Sequence, residues 1–144
     1  MLSSFLILGI VKADFIMERR IVLTASVFGL LAVILGAFGA HGLKSMLSSN
    51  AIEVWSKGVE YQFYHALALL FLSRMATVRP RLIWLSYLFF TLGVICFSGS
   101  LYLLSTREIT NISFASILGP VTPIGGLFFI LGWVMLFLSV LKNK

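Results

Sequence analysis

His65 closes the run Glu60-Tyr61-Gln62-Phe63-Tyr64-His65, where a carboxylate, two phenols, an amide and an imidazole crowd together. An imidazole near a carboxylate titrates close to neutral pH, so this run has the residue types of a proton relay or a general base. On a helix, Glu60 meets Tyr64 and Tyr61 meets His65 at i+4, and Lys57 reaches Tyr61 or Glu53 on the same face. The second histidine, His41, ends Gly36-Ala37-Phe38-Gly39-Ala40-His41, while Ser98, Ser100 and Tyr102 fall in one run and Thr122 lies between Pro120 and Pro123. Three chemistries compete for these ten residues. They are a polar network that clamps helices, a site for a lipid headgroup, quinone or small solute, and a proton-relay or catalytic site. The first is preferred, and no residue is assigned a catalytic role.

Other chemistries lack their residues. With two histidines, a distant Cys96 and no H-x-x-x-H spacing, no metal site is expected. Nucleophile-elbow, Walker A, C-x-x-C and dinucleotide-binding patterns are missing from the sequence, and no cofactor is implied. The lone cysteine sits in an apolar run and reads as a small hydrophobe.

The elements that must position these residues are read from composition. Of the 144 residues, 60% are hydrophobic and 11% charged, and the mean hydropathy is +1.05. Soluble domains carry about 25% charged residues. This balance excludes a soluble enzyme, a disordered tail and a disulfide-knit secreted domain. Residues 21–43, 82–106 and 109–141 carry no formal charge, and each exceeds the roughly 20 residues that cross a bilayer. Residues 61–72 are charge-free but must be extended to span. The expected fold is an all-α integral membrane four-helix bundle, with spans near residues 21–40, 59–78, 82–104 and 121–141. Barrel strands are excluded because the runs lack dyad alternation.

With four spans, Lys12, Arg19, Arg20, Arg74, Arg79, Arg81, Lys142 and Lys144 share one side and Lys44, Lys57 and Arg107 the other, eight positives against three. Both termini are therefore expected in the cytoplasm. The net charge of +6 is explained by this placement and not by nucleic acid. The topology brings the ten polar residues above together in the outer half of the bundle.

Local signals refine the elements. Asn50 with Glu53 three residues on resembles a capping box, so a helix is expected to start at Ala51, with its first turns at the interface, and to run to about Val78. Trp55, Tyr61, Tyr64 and Tyr102 suit an outer aromatic belt and Trp84 an inner one. Proline is tolerated in a helix's first turn, so the fourth span is expected to follow Pro120 and Pro123, with residues 111–118 interfacial. A broken helix lining a site is the alternative. Small residues at Ala25, Gly29, Ala32, Gly36 and Gly39, and at Gly125 and Gly132, form stripes for close helix packing in left-handed crossings. Residues 1–11 are apolar but too short to span, and they lack a basic n-region and a cleavage site. Met17-Glu18-Arg19-Arg20 has the form of a start, so residues 1–16 are read as an extension or misassigned start, with a short interfacial segment as the alternative. Residues 17–144 form the single transmembrane domain.

Four stretches carry a resemblance. Leu35-Gly36-Ala37-Phe38-Gly39-Ala40-His41-Gly42-Leu43, Glu60-Tyr61-Gln62-Phe63-Tyr64-His65-Ala66-Leu67-Ala68, Phe97-Ser98-Gly99-Ser100-Leu101-Tyr102 and Gly119-Pro120-Val121-Thr122-Pro123-Ile124-Gly125-Gly126 resemble the YgdD/YwdK-type family. These are small bacterial inner-membrane proteins of a domain of unknown function, with small eukaryotic transmembrane relatives. The resemblance covers about residues 20–140, and the leader at 1–16 departs from it. It implies a multi-pass protein of the cytoplasmic membrane and brings no activity or catalytic residues. The expected function is that of a non-enzymatic accessory or scaffold protein. The alternatives are an oligomeric transporter of a small solute, ion or proton, and a lipid- or quinone-binding protein. The expected partners are the lipid bilayer and either a larger membrane complex or further copies of the chain.

Overall fold

In the computed structural model the backbone is described for residues 2–110 and 115–141, and the side chains for residues 15–110 and 118–141. The expected interfacial stretch at residues 111–118 falls almost wholly outside the described side chains, as do residues 1–14 of the expected extension. Helix α1 (Leu2–Phe38) continues into a π-helical turn, Gly39–Leu43. Helix α2 is Ser49–Ser73. Helix α3 (Pro80–Gly93) passes through a second π-helical turn, Val94–Ser98, into α4 (Gly99–Ser105). A short α5 (Arg107–Thr110) precedes α6 (Ala115–Val140). The described residues are all-α. Helix α1 packs along α2 and α3 along α6, while α4 and the second π turn touch both α2 and α6.

Three of these rods, Phe15–Leu43, Pro80–Ser105 and Leu118–Val140, are long and apolar enough to cross a membrane. Their outward faces are hydrocarbon. Leu30 and Val33 on α1 and Ile130 and Phe137 on α6 are each about 60% exposed (62%, 63%, 61% and 62%). Water would penalise such surface, whereas lipid tails do not. The fourth rod, α2, is long enough at 25 residues but falls short in apolarity, because Glu53, Lys57 and Glu60 sit in its first half. It is the inner rod. Trp55, Gly58, Gln62, His65, Ala66, Leu69, Leu72 and Ser73 are buried at the three-and-four spacing of one helical stripe.

Three local expectations change. First, α2 is capped by Ser48, whose extended backbone (ψ 156°) turns its Oγ to accept from the Ala51 N–H at 3.3 Å. The helix thus begins two residues before Ala51, and Asn50 lies within it. A serine hydroxyl is as good an N-cap acceptor as an asparagine amide. Second, α2 ends at Ser73 and not near Val78. Pro80 takes the first turn of α3 and drives Arg79 out of helical geometry (φ −147°, ψ 84°), so the residues before it are spent on the turn. Arg79 then donates to the carbonyls of Leu138 and Leu141 at 3.0 and 2.6 Å, closing the free C-terminal end of α6. Third, Pro120 and Pro123 lie inside α6 and do not open it. Three residues apart and both exposed, they leave their missing hydrogen bonds on one outer face.

The pairing of α3–α4 with α6 is a matched set of holes and rings. A Cβ at Gly132 would stand 2.5 Å from the Phe90 ring, and one at Gly93 would stand 2.4 Å from the Phe129 ring. Each helix thus offers a phenyl to the other's glycine. One turn further along, a Cβ at Gly125 would meet the backbone of Phe97, at 2.4 Å from N and 2.7 Å from Cα. Ser100 and Thr122 continue the antiparallel register with a 2.7 Å hydroxyl pair. Gly125 faces the second π turn, whose wider ring brings backbone against backbone. The small-residue stripe on α1 is uneven. Ala25 and Ala32 are buried and a Cβ at Gly36 would touch Val59 at 3.4 Å, whereas one at Gly29 would meet nothing within 4 Å.

Gly125→Ala is therefore expected to lower unfolding stability by ~1–3 kcal/mol, because backbone cannot move aside as a side-chain tip can. Gly29→Ala should stay within about 0.5 kcal/mol of the parent. Unfolding in detergent reads both, and equal effects from the two changes would refute the register.

Candidate functional site

The ten polar residues do not form one cluster. Ser100 and Thr122 bond each other between α4 and α6, and the other eight divide into three groups, each with its own surroundings.

The first group joins α1, α2 and α4. Gln62 is 4% exposed. Its Nε2 donates to the Phe28 carbonyl of α1 at 2.8 Å, and its Oε1 accepts from the Tyr102 hydroxyl at 3.0 Å. Tyr102 can lie so close because Gly58, one turn earlier on α2, has no Cβ; one there would stand 2.8 Å from the tyrosine ring. Trp55 extends the group. Its ring is 4.7 Å from that of Tyr102, and its indole N–H donates to the Leu35 carbonyl at 2.9 Å. Gly39 makes room, since a Cβ there would sit 2.6 Å from the indole. Trp55 was expected in the outer aromatic belt. It is buried, because the first π turn of α1 and Gly39 open a slot for it.

The second group is exposed. Glu60 forms an ion pair with Lys57 at 2.9 Å, and both side chains are about half exposed, at 42% and 54%. Tyr64 and His41 are exposed as well. The expected contact of Glu60 with Tyr64 gives way to this i,i+3 pair, which keeps both charges at the surface. An exposed pair of this kind contributes little to stability.

The third group surrounds His65, which is 5% exposed. Its Nδ1 lies 2.8 Å from the Tyr61 carbonyl, one turn back on α2. Its ring lies flat on Phe129 at 3.6 Å between centroids and 10° between planes. Phe90 and Trp133 flank it at 5.3 and 6.2 Å. Among the described residues its buried Nε2 has no hydrogen-bond partner, and neither has the buried hydroxyl of Ser98 in the second π turn. Beside His65 runs a groove of about 620 Å³ between α2, the second π turn and α6, walled by Tyr61, Phe97, Phe129, Ile130 and Trp133. The sequence reading named His65 and Tyr61 but missed the aromatic wall. The signal was the i,i+4 pair Phe129 and Trp133 on α6, which matches Tyr61 and His65 on α2. Among the described residues no group of three metal-ligating side chains converges.

With this geometry in hand, relatives can be compared. The family model described as "protein of unknown function (DUF423)" matches residues 35–126. That stretch holds Trp55, Gln62, His65 and Tyr102, while Phe129 and Trp133 lie beyond it. A UPF0382 membrane protein of Staphylococcus haemolyticus is 48% identical over 108 residues, covering 74% of this chain and 83% of the relative. A UPF0382 membrane protein of Staphylococcus aureus is 41% identical over 125 residues, covering 86% of this chain and 97% of the relative. The UPF0382 membrane protein YwdK of Bacillus subtilis is 40% identical over 124 residues, covering 84% and 95%. No solved structure matches the chain.

The Gln62 contacts predict a non-additive pair. Gln62→Leu strands the half-buried Tyr102 hydroxyl and should cost about 1 kcal/mol, and Tyr102→Phe should cost a similar amount. The double variant should be less destabilised than the two single losses combined, because removing both partners leaves no orphan. Fully additive losses in detergent unfolding would show that the bond contributes nothing.

Proposed function

The chain belongs to the DUF423 family of membrane proteins, and from that premise we propose that it is a non-enzymatic accessory or scaffold protein of the bacterial cytoplasmic membrane. The observation that carries this reading is Gln62. The most polar buried side chain of α2 spends both ends of its amide on other helices. Trp55 and Ser86 likewise donate to the carbonyls of Leu35 and Gly132 across helix contacts, and Ser100 pairs with Thr122. Polar groups used in this way hold shape and leave few free for turnover. The one carboxylate of the polar run, Glu60, is held at the surface by Lys57, away from the buried imidazole. A transport path would need polar groups free to exchange partners along its length. The broad apolar faces of α1 and α6 supply contact area to lipid and to a larger membrane complex or a second copy. Both termini face the cytoplasm in this reading, following the arginine- and lysine-rich side.

Gentle extraction followed by native mass spectrometry tests the function. A membrane partner retained at fixed stoichiometry is expected. Recovery of the bare chain, together with solute flux in liposomes that is lost in Glu60→Gln, would replace the accessory role with transport. Orientation has its own test: a fluorescent-protein fusion at the C-terminus should be bright, and a phosphatase fusion there should be inactive. The opposite pattern would invert the topology.

A further inference from the structure

We propose that the groove beside His65 binds the ring of a quinol, or a lipophilic phenol like it, whose hydroxyl donates to His65 Nε2. This goes beyond the accessory role and does not depend on it, because a scaffold with or without partners could carry such a ligand.

The argument begins with the histidine's two nitrogens. A backbone carbonyl only accepts, so in the neutral ring the proton shared with the Tyr61 carbonyl belongs to Nδ1. The imidazole is thereby locked into one tautomer, and Nε2 is a bare lone pair. With Nδ1 turned back to its own helix, Nε2 lies on the far side of a ring that is stacked on Phe129 and flanked by Phe90 and Trp133. Phe90 and Phe129 have no N–H or O–H to offer, the indole N–H of Trp133 does not bond to Nε2, and among the described residues Nε2 has no donor partner. A strong acceptor on a side chain that is 5% exposed, unmatched in a hydrocarbon setting, is costly to keep. Gln62, three residues earlier on the same buried stripe, has no such vacancy at either end. The other unpartnered buried group, the Ser98 hydroxyl, lies in the second π turn and does not line the groove, so His65 is the orphan that the groove wall carries.

The groove selects the rest of the ligand. Its volume of about 620 Å³ lies within the range of small-molecule sites. Its walls are mainly aromatic, which favours a planar ring that can stack. Leu127, Ile130 and Trp133 at its rim are 52%, 61% and 50% exposed, on the lipid-facing side of α6. A ligand can enter from the bilayer and leave an apolar tail there. Nε2 is covered by rings, so entry requires one to turn aside, and Trp133, half exposed where Phe90 and Phe129 are buried, is the least confined of them. The acceptor then decides the oxidation state. A quinol carries hydroxyl donors, whereas a quinone carries only carbonyl acceptors and cannot satisfy a lone pair. A phosphodiester or a choline headgroup, with no N–H or O–H, fails for the same reason. The site therefore favours the reduced form. No electron transfer is involved.

The test uses the full chain, labelled with ¹⁵N-histidine, in phosphatidylcholine nanodiscs without oxygen. The probes are duroquinol, its dimethyl ether and duroquinone. Duroquinol should bind about tenfold tighter than either other probe, the factor set by one hydrogen bond of about 1.4 kcal/mol. It should also move the His65 Nε2 resonance while leaving Nδ1 in place. His65→Phe keeps a ring against Phe129 and should reduce duroquinol affinity to that of the ether. Equal binding of the three probes, no binding, or preference that survives in His65→Phe would overturn the proposal. So would an Nε2 resonance already shifted by the nanodisc lipid alone, which would assign the groove to phospholipid. If His65→Phe does not fold, Trp133→Leu at the rim serves instead. It should weaken all three probes several-fold, and unchanged affinities would place binding elsewhere.

Discussion

Gln62 carries the constraint on which the bundle depends. Inside a bilayer every polar group must find its partner within the protein. Gln62 meets that demand by joining the Phe28 carbonyl of α1 to the Tyr102 hydroxyl of α4. Neither bond is long-range in space, but each fixes a register. The α1–α2 register puts Trp55 opposite Leu35, and the α2–α4 register lays the Tyr102 ring across Gly58. The least apolar long rod is the innermost one because its polar side chains are the connectors.

The other half of the bundle is held by shape. In lipid, apolar side chains gain little by leaving their solvent, so close contact must supply the attraction. Gly93 and Gly132 receive Phe129 and Phe90 from opposite helices, and Gly125 lets two backbones touch. Ser86 and Ser100 add hydrogen bonds along the same seam. The second π turn belongs to this design. It sets Phe97 against Gly125 and turns its ring towards the Tyr61 ring, 4.7 Å away.

Much of this was legible in the residues. The charge-free runs announced an all-α membrane protein, because few other folds tolerate such composition. The small residues at Gly125 and Gly132 marked a true seam, since glycine in an apolar helix has few reasons but close approach. Other features were written only in tertiary contact. Gly29 looks like its neighbours in sequence, but no element packs over it. Trp55 reads as an interface residue until Gly39, sixteen positions earlier, is seen to open a slot for its indole. The capping-box pattern of Asn50 and Glu53 favoured Asn50, but Ser48 is an equally good cap residue by type and is the one that caps α2. The wall around His65 depends on the α2–α6 pairing, so residues far apart in the chain had to be placed before it existed.

Gln62 and His65 are therefore instructive as a pair. They share a helix, a buried stripe and a polar character, and in the sequence they fall in one polar run. Their surroundings differ. The amide is met at both ends by groups that also lock helices, so its polarity is accounted for by the fold. The imidazole is met at Nδ1 by its own helix, a contact that joins no two elements and needs no histidine for packing. A phenylalanine would stack on Phe129 equally well, without the expense of a buried lone pair. What distinguishes histidine at this position is the acceptor itself, and an acceptor left open beside an aromatic groove in a lipid-facing wall acquires a purpose only when something in the membrane donates to it.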